Sequence, residues 1–244
     1  MNGETQKKMR RKEFRQAFIA SLPVLAGYLG LGGGFGILLS TVGYGVLWAL
    51  GMSITMYSGS MQYMAVDLIP SGSSLLTIGI TTLLVNARHL FYGLSLLDEY
   101  KGAGWRKFFM IFELTDETYS ITCAGAPGED KESRQRYYFY VSVLNHLYWI
   151  AGCSIGCIVG SLLKFNSQGI DFVLTALFIT VFTDQWLKSK NHLAAIAGVV
   201  SSVACRLIFG ADFLIPAMVC IALSLTLLRK YTGADADKEA KQDE

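Results

Sequence analysis

The chain has 244 residues, 52% of them hydrophobic and only 16% charged, where a soluble domain would carry roughly 25% charged residues. With a mean hydropathy of +0.39, 25 glycines and only 4 prolines, this argues against a soluble enzyme and predicts an all-α, polytopic helical membrane protein. The net charge of +2 decides little, but its distribution decides more: Lys7, Lys8, Arg10, Arg11, Lys12 and Arg15 all fall in the first fifteen residues.

That cluster flanks the first apolar run. Residues 1–16 therefore read as a basic cytoplasmic N-terminal segment, because positive flanks stay on the inside. A nucleic-acid-binding arm is the weaker rival. The run from Ala17 to about Ser40 is longer than the core of a cleavable signal, which is about 7–15 residues.

A helix rises 1.5 Å per residue, so a crossing needs about 20 mostly apolar residues. Windows of that kind fall near 17–40, 44–69, 74–97, 108–124, 137–163, 170–187, 193–209 and 212–228. We expect about eight transmembrane helices in one domain, 17–228, with both ends inside and a charged cytoplasmic tail at 229–244. This puts Lys131, Arg134, Arg136, Lys188, Lys190, Arg229 and Lys230 inside, but leaves Lys101, Arg106, Lys107 and Lys164 outside. The fourth window is short and acidic, and a re-entrant segment is its alternative reading.

"GLGGGFG", Gly30 to Gly36, predicts a first helix that packs very closely or bends. It is not a dinucleotide fingerprint, because no strand precedes it. In the second window, "MYSGSMQYM" places Ser58, Gly59, Ser60 and Gln62 mid-span. Glycine between serines loosens a helix, and freed backbone N–H groups suit an anion such as a carboxylate.

The third window carries "NARHLFYG". At 100° per residue, Thr82, Asn86, His89 and Gly93 share one stripe, while Thr81, Arg88, Tyr92 and Ser95 lie nearly opposite. Asn86 and Arg88 are thus expected either on an unwound helix or in separate duties. Snorkelling of Arg88 is the bland alternative.

In the fourth window, "FELTDETYS" sets Glu113, Asp116, Glu117 and Ser120 on one arc. Burial and like charge both favour the protonated form of a carboxyl, so one acid is a candidate for proton exchange. A solvated interfacial face is the alternative. The fifth window aligns Ser142, Asn145, Trp149, Gly152 and Gly156, with His146 at the edge as a packing residue. Gly152 and Gly156 form a small-xxx-small pair. The five cysteines read as small core residues, and no metal or cofactor is expected.

A faint repeat suggests two duplicated halves. Residues 74–93 align without gaps to 191–210, and Gly32 and Gly36 have counterparts in Gly152 and Gly156.

Together "LGGGFGILLS", "YSGSMQ", "NARHLFYG", "LTDETYS", "NHLYW" and "DFVLTALFI" resemble the large-subunit family of branched-chain amino-acid exporters, the azaleucine-resistance (AzlC-like) proteins. The resemblance runs from about residue 14 to 228 and rests on the order and spacing of the pieces. It implies a secondary transporter in the cytoplasmic membrane that exports valine, leucine, isoleucine and related amino acids. It also implies a small four-span AzlD-like membrane subunit as partner and use of the proton gradient.

A zwitterionic substrate needs an anion site, a cation site and an apolar pocket. We assign substrate contact to Ser58, Gly59, Ser60, Gln62, Asn86, Arg88, Asn145 and Trp149, and proton coupling to Glu113, Asp116, Glu117 and His89. The rival readings are an intramembrane serine hydrolase, with Ser58 or Ser60 and His89 or His146, and a channel for small polar solutes. In the first, neither Ser58 nor Ser60 lies in a G-x-S-x-G motif.

Overall fold

A computed structural model describes residues 3–128, 130–163, 191–213 and 216–224, with single positions at 172, 175, 176, 179, 182, 183, 186, 187, 226 and 227. The predicted tail at 229–244 lies outside these. The chain divides into two units, Met1–Leu174 and Thr175–Glu244.

In the first unit the helices are α1 (Gly3–Thr41), α2 (Val46–Thr55), α3 (Gly59–Leu68), α4 (Leu75–Ser95), α5 (Leu97–Tyr100), α6 (Trp105–Phe112), α7 (Asp116–Cys123) and α8 (Lys131–Leu162). The described residues contain three helices long and apolar enough to cross a membrane, and these are α1, α4 and α8.

α1 and α8 run parallel, in matched order from end to end. Glu13 pairs with Arg136 at 2.8 Å, Phe14 packs on Tyr140, and the Ser21 hydroxyl lies 3.3 Å from that of Tyr148. Further along, Gly32 and Gly36 press on Cys153 and Gly156. A Cβ on Gly36 would strike the Cys153 carbonyl, and one on Gly156 would strike the Gly33 carbonyl. The expected close approach of the first helix is therefore real. Its partner is the helix that carries the second small-xxx-small pair, because bare backbones allow dispersion contact along their length. The Glu13–Arg136 pair is buried, and Glu13 also accepts from Ser133 at 2.6 Å, so its charge is compensated on two sides.

The windows 44–69 and 108–124 are not single helices long enough to cross. Each is a hairpin of two short helices, a correction to the eight-span expectation. Along the first window, the Tyr44 carbonyl accepts from Cys157 and the Ser53 carbonyl lies 3.1 Å from His146 Nε2, so α2 runs antiparallel to α8. The chain then turns back. Ser58 meets Asn86 and Met61 meets Thr82, so α3 runs antiparallel to α4 and returns to the end from which α2 came.

The second window mirrors this from the other end. α6 climbs alongside α8, with Trp105 and Phe109 on Phe139 and Phe112 on His146. α7 then descends alongside α4, with Asp116 at Arg88 and Tyr119 stacked on Tyr92. Each hairpin is followed by a crossing helix, the first by α4 and the second by α8, and the two crossings run in opposite senses.

This topology also gathers the charges. Lys131 donates to the Asp98 carbonyl, Gln135 donates to the Glu99 and Lys101 carbonyls, and Arg134 pairs with Glu99. Lys101, Arg106 and Lys107 thus share one end with the N-terminal basic cluster, instead of lying across the bilayer from it. A window-based reading could not find this, because a hairpin and a single crossing have the same length and hydropathy.

In the second unit, α9 (Leu193–Phe209) ends in a 3-10 turn, Gly210–Phe213, and residues 216–224 are helical. Trp186 stacks on His192 with ring centroids 4.0 Å apart, and Arg206 lies over the Phe213 ring.

Candidate functional site

The two hairpin tips meet at mid-height, between α1, α4 and α8. The first tip is Tyr57–Ser58, where Tyr57 adopts a positive φ of 39°. That conformation is unusual for a bulky residue and costs energy. It ends α2 and lets α3 begin on a new axis at Gly59. The second tip is Glu113–Thr115. There Thr115 caps α7, its hydroxyl accepting from the Thr118 amide at 3.3 Å.

Arg88 joins the tips. Its Nη1 lies 2.8 Å from Asp116 Oδ2 and its Nη2 donates to the Ser60 hydroxyl at 2.9 Å. Tyr92, one turn further along α4, donates to Asp116 Oδ1 at 2.7 Å. Both oxygens of Asp116 are therefore engaged by α4. The Arg88 and Asp116 side chains keep 37% and 41% of their exposure, so the pair is not sealed by the helices around it.

Asn86 meets the same tip. Its Oδ1 accepts from the Ser58 hydroxyl at 2.6 Å, and its amide nitrogen donates to the Thr82 carbonyl. α4 is a continuous helix here, so the expected choice between unwinding and separate duties is replaced by a third arrangement. The two stripes flank the tip, and the long stem of Arg88 carries its guanidinium back across the angle between them.

Gln62, Asn145 and Trp149 are buried and brace the tips. Trp149 Nε1 donates to Gln62 at 2.8 Å, its ring lies against Gly59, and Asn145 donates to Thr118 at 3.0 Å. Among the described residues, the other polar atoms of those amides, Gln62 Nε2 and Asn145 Oδ1, have no hydrogen-bond partner.

Glu117 faces α1. It accepts from the Tyr28 hydroxyl at 2.8 Å, and that hydroxyl also lies 2.8 Å from Thr115. Tyr28 is a residue that sequence reasoning missed. It sits on the apolar helix α1, with no polar spacing pattern to single it out. His89 bonds within its own helix, its Nδ1 lying 3.1 Å from the Asn86 carbonyl.

Glu113 is fully buried, and its Oε1 lies 2.6 Å from His146 Nδ1. The expectation that His146 only packs is corrected by this pairing. Among the described residues, neither Ser58 nor Ser60 hydrogen-bonds to a histidine. Ser58 donates to Asn86 and Ser60 accepts from Arg88, so the hydrolase reading finds no activated serine here.

The arrangement offers an accessible cation and anion side by side, a fully buried second acid, and two helix N-termini directed at mid-height. The AzlC protein family matches residues 23–163, the stretch that holds both hairpins and most of their framework. The chain is similar to the branched-chain amino acid transport protein AzlC of Bacillus subtilis, with 44% identity over 89% of this chain and 85% of that protein. It is similar to an uncharacterized membrane protein of Helicobacter pylori, with 42% identity over 90% of this chain and 96% of the other. It is also similar to the inner membrane protein YgaZ of Escherichia coli, with 26% identity over 88% and 90%. No solved structure matches. On the family match and the extent of these identities, the chain belongs to the AzlC family.

Proposed function

We propose that this protein is a secondary carrier that exports branched-chain and related hydrophobic amino acids across the cytoplasmic membrane. In this reading it is proton-coupled and works with a small AzlD-like membrane subunit. The observation that carries the reading is the accessible Arg88–Asp116 pair between two hairpin tips. An amino acid is a zwitterion, and it can replace each member of that pair with its own opposite charge.

The substrate carboxylate takes the Arg88 guanidinium, aided by the Ser60 hydroxyl and the amides at the start of α3. The substrate ammonium takes Asp116, with Tyr92 holding the carboxylate in place. Exchanging one charge-assisted contact for another costs little at the site, while the apolar side chain leaves water. Gln62, Asn145 and Trp149 keep the tips in register. Broken helices whose ends meet at mid-membrane, in motifs of opposite orientation, suit a carrier that alternates access around a fixed site.

The basic residues at the Glu13 end assign that end to the cytoplasm. The test is efflux of labelled leucine, valine, isoleucine and methionine from cells with and without this chain, each with the small subunit present or absent. Faster efflux that saturates with substrate supports a carrier. Efflux unchanged by the chain in all four cases rejects the reading, and flux without saturation turns it toward a channel.

A further inference from the structure

Glu113, at the second hairpin tip, has no exposed surface. Its only ion-pair partner among the described residues is His146, with Oε1 and Nδ1 2.6 Å apart. The other ring nitrogen, Nε2, lies 3.1 Å from the Ser53 carbonyl on α2. A carbonyl only accepts, so Nε2 carries its hydrogen.

That leaves one proton for the contact between Oε1 and Nδ1. It resides on the carboxyl of a neutral pair or on the ring of an ion pair, and in both forms the two atoms attract at 2.6 Å, although neither Glu113 oxygen has an aligned hydrogen-bond partner among the described residues. Without that proton, two lone pairs face each other at 2.6 Å. Among the described residues no other donor reaches Glu113 Oε2. The Tyr57 ring covers the imidazole with centroids 4.4 Å apart. A bare carboxylate in such a place is costly.

We propose that Glu113 and His146 hold a single exchangeable proton that latches both hairpins to α8, and that its release lets the tips part. The proposal rests on the transport reading above for its purpose, but not for its chemistry. Ser53 belongs to the first hairpin, Glu113 to the second, and His146 to the middle of α8, so the protonated pair ties three elements together.

The titratable group against the pair is Tyr57 from the first tip, and Tyr57 in turn is neighboured by Tyr28 from α1 and Glu117 from α7. Glu117 is already held by Tyr28. In the proton cycle, water on one side delivers H⁺ to the open pair and the Oε1–H–Nδ1 bond forms. On the other side the bond breaks and H⁺ returns to water. Asp116 is left for substrate, because it is accessible and already neutralised by Arg88.

The test uses the full chain in lipid vesicles. Backbone hydrogen exchange is followed at residues 56–60 and 112–116 at about pH 6 and about pH 8, corrected for the intrinsic pH dependence of exchange. The tips of the unaltered protein should exchange about tenfold faster at the higher pH. In Glu113→Gln an amide permanently replaces the labile proton, and the response should vanish. Should that variant not fold, His146→Gln is read the same way.

Corrected rates equal at both pH values in the unaltered protein overturn the latch, as does a full response surviving in Glu113→Gln. Leucine flux in the same vesicles tests the transport reading separately. Its absence beside an intact tip response sinks that reading and leaves the latch standing.

Discussion

The two hairpins share a geometry and differ in charge. Each directs a helix N-terminus, α3 or α7, toward mid-height, and such an end carries roughly half a positive charge. α3 has no side-chain cap, because the Ser58 hydroxyl is spent on Asn86, and it has no acid in its first turn. Arg88 adds a cation beside it through Ser60. α7 is capped by Thr115 and opens with Asp116 and Glu117, which reverse the sign of its end. One motif used twice thus ends once in positive and once in negative charge, set close enough for Arg88 to touch both tips. The sign of a helix terminus is decided by the first few side chains, and the backbone supplies only the starting value.

Removing the shared cation should break this comparison most severely. Arg88→Ala takes the counter-ion from Asp116 and the carboxylate partner from the substrate. Two charge-assisted contacts are worth about 1.5–3 kcal/mol each, so leucine export should fall about 100-fold or more. Efflux of labelled leucine at equal protein level measures this, and near-normal export would remove Arg88 from the site.

Asp116→Asn should separate the two signs. It weakens the ammonium site and spares the α3 side, so leucine should lose about tenfold in affinity against its analogue lacking the amino group. Competition between the two ligands reports the ratio, and an unchanged ratio would deny Asp116 the ammonium.

Gly59→Val tests the brace at the first tip. A Cβ at residue 59 would sit 3.0 Å from the Trp149 ring, so the ring and its bond to Gln62 must shift. Overpacking of this kind costs about 1–3 kcal/mol, seen as a lower thermal midpoint in detergent.

The smallest effects should rank the two N-termini. Thr115→Ala removes a cap, at about 1 kcal/mol. Ser58→Ala removes a hydrogen bond but no cap, and should cost about half as much. Equal midpoints for the two variants would mean that the caps do not distinguish the hairpins.

Much of this was readable from residues. The break at Ser58–Ser60 showed as small polar residues inside an apolar run, and it is where α3 begins. Arg88 and the acids of "FELTDETYS" showed as charges in apolar segments, each costly to leave alone, although the sequence did not say which acid Arg88 meets. Tyr28 was not identified, and His146 was read as a packing residue or as the histidine of a hydrolase. Tyr28 meets Glu117 from 89 residues away along the chain, and its ring otherwise reads as core. His146 gains its chemistry from Glu113 on another helix. A histidine's neighbours on its own helix say nothing about such a partner.

The sequence by itself determined the class of the fold, the places where helices break, and the set of buried charges that require partners. These follow from local hydropathy and from the fixed turn of a helix. Only the tertiary structure decided that two of the apolar windows fold back instead of crossing. A hairpin of two ten-residue helices and one twenty-residue crossing bury the same surface, and what separates them is which distant helix each half packs against.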